Sequence, residues 1–364
     1  MASLERISFA ELEGWPGAAL DGALDAFRLS CRDILDHGRG FSHTARFGGS
    51  RASWLDTCRE GLAAVDARVF FETHFRLYRV KDGQRPEGLF TGYFEPEVEG
   101  RRSASGVFNV PIYSRPPDLV SFTEEERKAS GLSYGRRIDG KATPYFTRQE
   151  IEEGALAGQG LEIAYLKDWA DAFFIQIQGS GRVLLEDGGT LRLTYDGKSG
   201  LPYTGIGGLL VQQGAFTQDE MSMQAIRHWM AEHPQEARSL MWRNQSFIFF
   251  REVQLERPEL GALGAQHVQL TPRVSLAVDR AAWMLGTPVW LDTAVPAGDE
   301  ASMRPFRQLL IAQDTGSAIR GLARGDVFWG FGEDAAQIAG RMKSAGRMTV
   351  LLPHAVADEL GLAP

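Results

Sequence analysis

Short apolar runs, each closed by turn residues, most limit what this chain can fold into. In the last third they follow one another closely: QSFIFFREV (245–253), PRVSLAVDR (272–280), TPVWLDT (287–293), LLIAQD (309–314), VFWG (327–330) and RMTVLLP (347–353). Runs of this length, rich in β-branched and aromatic residues, read as strands rather than helices. No period of 20 to 50 residues repeats, so a solenoid or propeller is not indicated. Short strands with irregular connections favour a barrel over a doubly wound sheet.

The first eighty residues read differently. Leu20, Leu24, Phe27, Cys31 and Leu35 fall at helical spacing, and 53–66 suggests a second helix with Ser53 as its N-cap. RVFFETHFRLYRV (68–80) continues as helix and then strand. GLFTGYFEPEVEG (88–100) has strand spacing, and DAFFIQIQGSG (171–181) alternates as a half-buried strand would. RVLLEDGGTLRLTYDG (182–197) reads as a hairpin around Gly188 and Gly189. Between them the spacing predicts one clear helix, opened by a Thr217–Glu220 capping box and ended by Pro234. A last small helix is expected over 334–346, with Gly346 as its C-cap.

The 364 residues suffice for two domains or one large one, and the net charge of −8 argues against nucleic acid as the main partner. Cys31 and Cys58 form no C-x-x-C pair, which excludes a zinc ribbon. One disulfide and two buried thiols both stay open. No run of about 18 apolar residues is present, so no spanning helix is expected. The start, MASLERISFAELEG, shows no basic segment followed by an apolar one.

Several chemistries find no motif. GSGR and TGIGG fit neither a dinucleotide-binding loop nor a P-loop. His228 and His233 stand five apart, the wrong spacing for a zinc-binding helix face. No G-x-S-x-G elbow and no calcium loop occurs. No metal or cofactor is therefore expected. What remains is three aspartates beside apolar runs: Asp279 closes VSLAVD, Asp314 closes LLIAQD, and Asp326 precedes VFWG. They fit turn and cap roles, or one acidic cluster. A carboxyl group among apolar side chains and other carboxylates has its pKa raised, and can hold a proton near neutrality for a leaving oxygen. Asp326 has the best setting for this, with Asp314 adding repulsion and Arg324 opposing it if turned inward. Tyr93, Phe94, Gln176, Gln178, Tyr203 and Trp329 supply rings and amides of the kind that bind sugars.

TGYFEP (91–96), QIQGSGRVLLEDG (176–188), YDGKSGLPYTGIGGLL (195–210), MSMQAIRHWM (221–230), NQSFIFF (244–250) and the series VDR, QDTGSAIRG and GDVFWG resemble the membrane-bound lytic murein transglycosylase A family. The likeness runs from about 85 to 352. It implies a mainly β protein with some helices: a double-psi β-barrel domain, a second smaller β domain inserted in it, and a groove between them. The barrel would use 1–95 plus 244–364, with the three-aspartate segment at about 265–335, and the insertion 96–243.

The resemblance also implies an activity. The β-1,4 bond between N-acetylmuramic acid and N-acetylglucosamine in peptidoglycan would be cleaved without water, leaving 1,6-anhydromuramic ends. Asp326 would be the single catalytic acid and base, with Asp314 and Asp279 as supporting carboxylates. Tyr93, Gln178, Gly179, Ser180, Tyr203 and Trp329 would meet the glycan. Expected partners are peptidoglycan strands and proteins of cell-wall synthesis, and no nucleic acid. Family members carry a lipidated cysteine near the start, where this sequence has none. The expected location is the periplasm, with attachment to the outer membrane left open. Two rivals remain: a glycoside hydrolase using water and two carboxylates, and a non-catalytic, expansin-like glycan-binding module.

Overall fold

The computed structural model describes residues 3–81, 87–217, 220–297 and 302–362. The chain divides into two compact units, Met1–Phe94 with Arg257–Pro364, and Glu95–Glu256.

In the first unit lie β1 (Ser3–Ile7), β2 (Phe75–Lys81) and β3 (Gly88–Glu95, whose last residue groups with the second unit). The second unit contributes β4 (Glu97–Arg101), β5 (Val110–Tyr113), β6 (Val120–Ser121), β7 (Tyr134–Ile138), β8 (Lys141–Thr143), β9 (Glu162–Leu166), β10 (Ser180–Leu185), β11 (Thr190–Lys198) and β12 (Ile248–Glu252). The first unit resumes with β13 (Ser275–Val278), β14 (Pro288–Pro296), β15 (Met303–Asp314), β16 (Arg324–Phe331) and β17 (Lys343–Pro353).

The first unit's sheet has the order β1-β2-β17-β14-β15-β13-β16-β3, and β17 also pairs with β3. That extra pairing closes β17, β14, β15, β13, β16 and β3 into a ring. Closure removes the free edges that an open sheet of such apolar strands would expose. β14 and β17 carry buried residues on both faces, such as Val289 and Trp290, or Val350 and Leu351. This is why their sequences read as continuous apolar runs: helices cover the outside of the ring. The Asp21–Asp36 helix packs on β15, and Phe27 sits among Phe70, Phe71 and Phe75 at ring distances of 5.6 to 6.0 Å. Burying a phenylalanine in this way contributes about 2 kcal/mol.

The second unit has a six-stranded sheet, β12-β11-β10-β4-β9-β5, and a small sheet, β6-β7-β8. Residues 244–256, read from sequence as part of the barrel, group with this unit because β12 hydrogen-bonds along β11. One expected strand is a helix: Trp169–Gln178, capped by Asp168, whose side chain accepts from the Asp171 amide, and ended by Gly179 at φ +78°. Its apolar residues pack in two directions. Ala172 and Ile175 join the core of the sheet, while Phe173 and Phe174 join the core of the surrounding helices. A helix buried on two sides shows no polar stripe, and its sequence then mimics strand alternation.

Three helix ends also differ from expectation. Thr217 and Glu220 do exchange the hydrogen bonds of a capping box. Residues 218 and 219 lie outside the described residues, and the helix starts only at Met223 with Ser222 as its cap. The Ala52–Ala63 helix has no side-chain cap; the Ser53 hydroxyl donates to the Ser50 carbonyl instead. The Gly332–Arg341 helix stops before Met342, and Gly346 lies within β17. Among the described residues no helix is long and apolar enough to cross a membrane.

Candidate active site

Three neighbouring strands set up the acidic pair. Ala277 of β13 lies opposite Asp314 of the parallel β15 on one side and opposite Asp326 of the antiparallel β16 on the other. Residues opposite one another in a sheet project from the same face. The two carboxylates therefore rise from one face with only a methyl group between them. Strand spacing separates their Cα atoms by roughly 10 Å.

A bulge makes this register possible. On β15 the pairing skips from Ala312 to Asp314, leaving Gln313 as the extra residue. The bulge re-aims both side chains. Gln313 is fully buried; its amide donates to the Ala26 carbonyl and the Ser30 hydroxyl, both at 2.9 Å, and accepts from Ser275 at 2.5 Å. Asp314 turns toward β3 and accepts from the Tyr93 hydroxyl at 2.8 Å and from the Ala265 and Thr315 amides at 2.9 Å.

β3 closes the cluster from the other side. Thr91 and Tyr93, two apart on a strand, share a face. Thr91 donates to Asp326 Oδ1 at 2.6 Å, while the Tyr93 ring lies 5.2 Å from that of Phe328. Gly92 between them faces the opposite way. A Cβ there would stand 2.6 Å from Trp329 Nε1 and 2.9 Å from the Ala339 Cα, so β3 can lie this close only without a side chain.

The electrostatics single out Asp326. Crowding by protein raises its carboxyl to about 6, against an ordinary 3.8; Asp314 adds to the rise, while Thr91 and Arg324 oppose it. Displaced water also raises Asp314, against the hydrogen bonds from Tyr93, Thr315 and Ala265. Burial, followed by the nearby Asp314, pushes the Tyr93 phenol well above its usual value. A carboxyl titrating near 6 holds a proton at mildly acid pH and can still release it.

Sequence comparison agrees with this architecture. The model of the "MltA specific insert domain" matches residues 89–251, and that of the "3D domain" matches 274–352. A membrane-bound lytic murein transglycosylase from Agrobacterium tumefaciens, known from its crystal structure, superposes with a TM-score of 0.86 at 33% identity, over 98% of this chain and 99% of that one. The chain belongs to the membrane-bound lytic murein transglycosylase A family. The Vibrio cholerae member is 34% identical over 263 residues, 71% of this chain and 64% of that protein. The chain thus matches a little under two thirds of that relative's length. The Escherichia coli member, solved with bound chitohexaose, superposes with a TM-score of 0.69 at 28% identity, over 96% of this chain and 94% of that one.

Within this family fold, Asp326, Asp314 and Tyr93 come together as one cluster. Asp279 has a different surrounding. Its carboxylate accepts from the Gly321 amide at 2.8 Å and the Ala281 amide at 3.1 Å, and lies 3.5 Å from Arg320. It ties the end of β13 to the loop that separates Asp314 from Asp326. Trp329 is buried behind β3, against Phe306, with its indole N–H directed at the Met342 sulfur at 3.4 Å. It backs Gly92 instead of offering a ring face beside Asp326.

Gln178, Gly179, Ser180 and Tyr203 belong to the second unit. Gln178 and Gly179 end the Trp169–Gln178 helix, Ser180 starts β10, and Tyr203 is exposed. Gln176 is buried and accepts from Arg148 at 2.8 Å. Phe94 is buried in the first unit. Two members of the cluster had no sequence signal of their own: Thr91, inside the TGYFEP motif, and Gln313, beside Asp314. Only the bulge and the closeness of β3 to β16 give them their roles.

Proposed function

We propose that the chain is a lytic transglycosylase that cleaves the β-1,4 bond between N-acetylmuramic acid and N-acetylglucosamine in peptidoglycan. Asp326 protonates the glycosidic oxygen as the bond to C1 breaks. The resulting carboxylate then takes the proton from the C6 hydroxyl of the same muramic residue as that oxygen bonds to C1. The 1,6-anhydro ring closes, no water is consumed, and Asp326 is protonated again. The attacking group is part of the substrate, so proximity comes with binding and one carboxyl serves both steps.

One observation carries this reading: a single carboxyl raised to about 6 beside a second carboxylate whose oxygens are already engaged. A hydrolase needs a second carboxylate free to activate water. Asp314 takes three donors from the protein, and Asp279 takes two backbone amides and Arg320. Neither is well placed as that base. The closed six-strand ring, with its parallel β13–β15 pair, supports reading the first unit as the double-psi barrel, with the second as its insertion. Asp314 and Tyr93 support Asp326, Asp279 acts through the loop, and Gln178, Gly179, Ser180 and Tyr203 are glycan contacts of the insertion. The relatives' name fits a protein of the periplasmic face of the outer membrane, acting on glycan strands alongside cell-wall synthesis proteins.

Digestion of purified sacculi, with products weighed by mass spectrometry, tests the reaction. Anhydro ends lost in Asp326→Asn are expected. Reducing ends would identify a hydrolase, and sacculus binding without any release would identify a binding module.

A further inference from the structure

Arg324 stands two residues before Asp326 on the same strand, yet makes no direct ion pair with it among the described contacts. Its guanidinium donates to Thr91 Oγ1 at 2.9 Å, to the Leu89 carbonyl at 3.4 Å, and to the carbonyl of Gly325. A guanidinium only donates. The Thr91 oxygen is therefore an acceptor toward Arg324, and its single proton is left for Asp326 Oδ1, 2.6 Å away. While Thr91 donates in this way Oδ1 is an acceptor, and the proton of the neutral acid is left to Oδ2.

We propose that Thr91 is a positioning residue that makes Oδ2 the proton-donating oxygen of Asp326, and that Arg324 sets the direction of the Thr91 hydroxyl. The proposal rests on the reading of Asp326 as the acid. It explains why a cation so near the acid is held one hydroxyl away: a direct Arg–Asp pair would keep the carboxyl ionised and useless as a donor. After the proton leaves, the same hydroxyl, polarised by Arg324, stabilises the new carboxylate. The groups acting on Asp326 are Arg324 from β16, Asp314 from β15, and Thr91 and Tyr93 from β3.

The test compares wild type, Thr91→Val, Thr91→Ser and Arg324→Met as full chains. The Asp326 carboxyl is followed by carbon NMR with labelled aspartate and assigned by its loss in Asp326→Asn. Removing the donor should let the Asp326 carboxyl of Thr91→Val titrate about one pH unit higher, and Thr91→Ser should restore the wild-type value. On sacculi, Thr91→Val should lower kcat about 10- to 100-fold with KM within about twofold, and move the alkaline limb of the pH profile upward. An unmoved titration and limb in folded Thr91→Val would overturn the proposal, as would a folded Thr91→Ser that fails to restore them. If Thr91→Val does not fold, Thr91→Ala is read the same way: an upward titration supports the proposal and an unmoved one overturns it, while Arg324→Met gives the size of the rise that loss of the charge alone produces. Should the wild type release no anhydro product, the transglycosylase reading fails, while the carboxyl titration still decides the relay.

Discussion

Gln313 and Asp314 are consecutive residues with opposite fates: the Gln313 amide is locked to Ala26, Ser30 and Ser275 in the interior, and the Asp314 carboxylate is delivered to Tyr93. The first contact set holds the bulge that makes the second possible. Gln313→Ala removes the buried amide that ties Ala26, Ser30 and Ser275 together, leaving Ser30 only Gln266 and Ser275 only the Thr271 amide, and it opens a cavity at the bulge. It is expected to lower stability by about 2–4 kcal/mol, and to reduce turnover by letting Asp314 drift. Chemical denaturation beside a sacculus assay checks this; a change below about 0.5 kcal/mol would show that the amide knot is not what holds the strand.

Asp326 works against the fold. Its folded carboxyl is raised to about 6 from 3.8. Between those values the folded state binds the proton more tightly than the unfolded chain. Stability is therefore lost as pH rises through this window, and the loss is complete above about 6. The shift corresponds to ~3 kcal/mol, and to about 2 kcal/mol once partial solvent access is allowed for. Asp326→Asn should melt higher than wild type at pH 7.5 and nearly the same at pH 4. Calorimetry at the two pH values decides, and an equal or lower Tm at pH 7.5 would count against the raised carboxyl.

On the proposed reaction the same titration governs turnover. Only the protonated acid can start the reaction, so kcat/KM should fall above about pH 6, by about tenfold per pH unit once past the limb. A profile flat to pH 8 would mean that the titrating group is not the one that matters.

Gly92→Ala tests the closeness of β3. Its new methyl would meet Trp329 and the Ala339 backbone, which cannot withdraw as a flexible chain end could. β3 must shift, and both Thr91 and Tyr93 go with it. Destabilisation of about 1–3 kcal/mol is expected, with a larger fall in turnover than Thr91→Val gives alone. Retained activity in Gly92→Ala would show that the strand has slack.

Tyr93→Phe removes one donor from Asp314 and leaves the ring in place beside Phe328. The phenol's hydrogen bond holds the Asp314 carboxyl down, so its loss should raise the Asp314 titration, with about 1 kcal/mol of stability lost. Carbon NMR of the carboxyl reads the direction; a downward move would contradict the assignment.

Much of the barrel was legible because its strands are buried on both faces, and continuous β-branched runs between turns have few other uses. The Trp169–Gln178 segment was not, because a helix buried on two sides carries no polar stripe. The Gly346 region misled in a similar way: a glycine after a helical pattern suggests a C-cap, yet here it lies in β17, where a Cβ would meet Thr293 at 2.7 Å. Asp326 and Asp314 stood out because carboxylates beside apolar runs are expensive unless they have work to do, and Tyr93 as a ring of the kind that binds sugars. Asp279 stood out for the first reason and Trp329 for the second; in the structure Asp279 holds the 315–323 loop and Trp329 lies against Gly92.

By itself, the sequence determined the short strands, the apolar setting of the aspartates and the motifs of the family. Those are local properties, written in neighbouring residues. Tertiary structure alone decided that Ala277 would stand between two carboxylates, that Gln313 would bulge inward, and that Thr91 would separate a cation from an acid. Each of these depends on pairing between strands far apart in the chain, and register over such distances is set by closure of the whole ring.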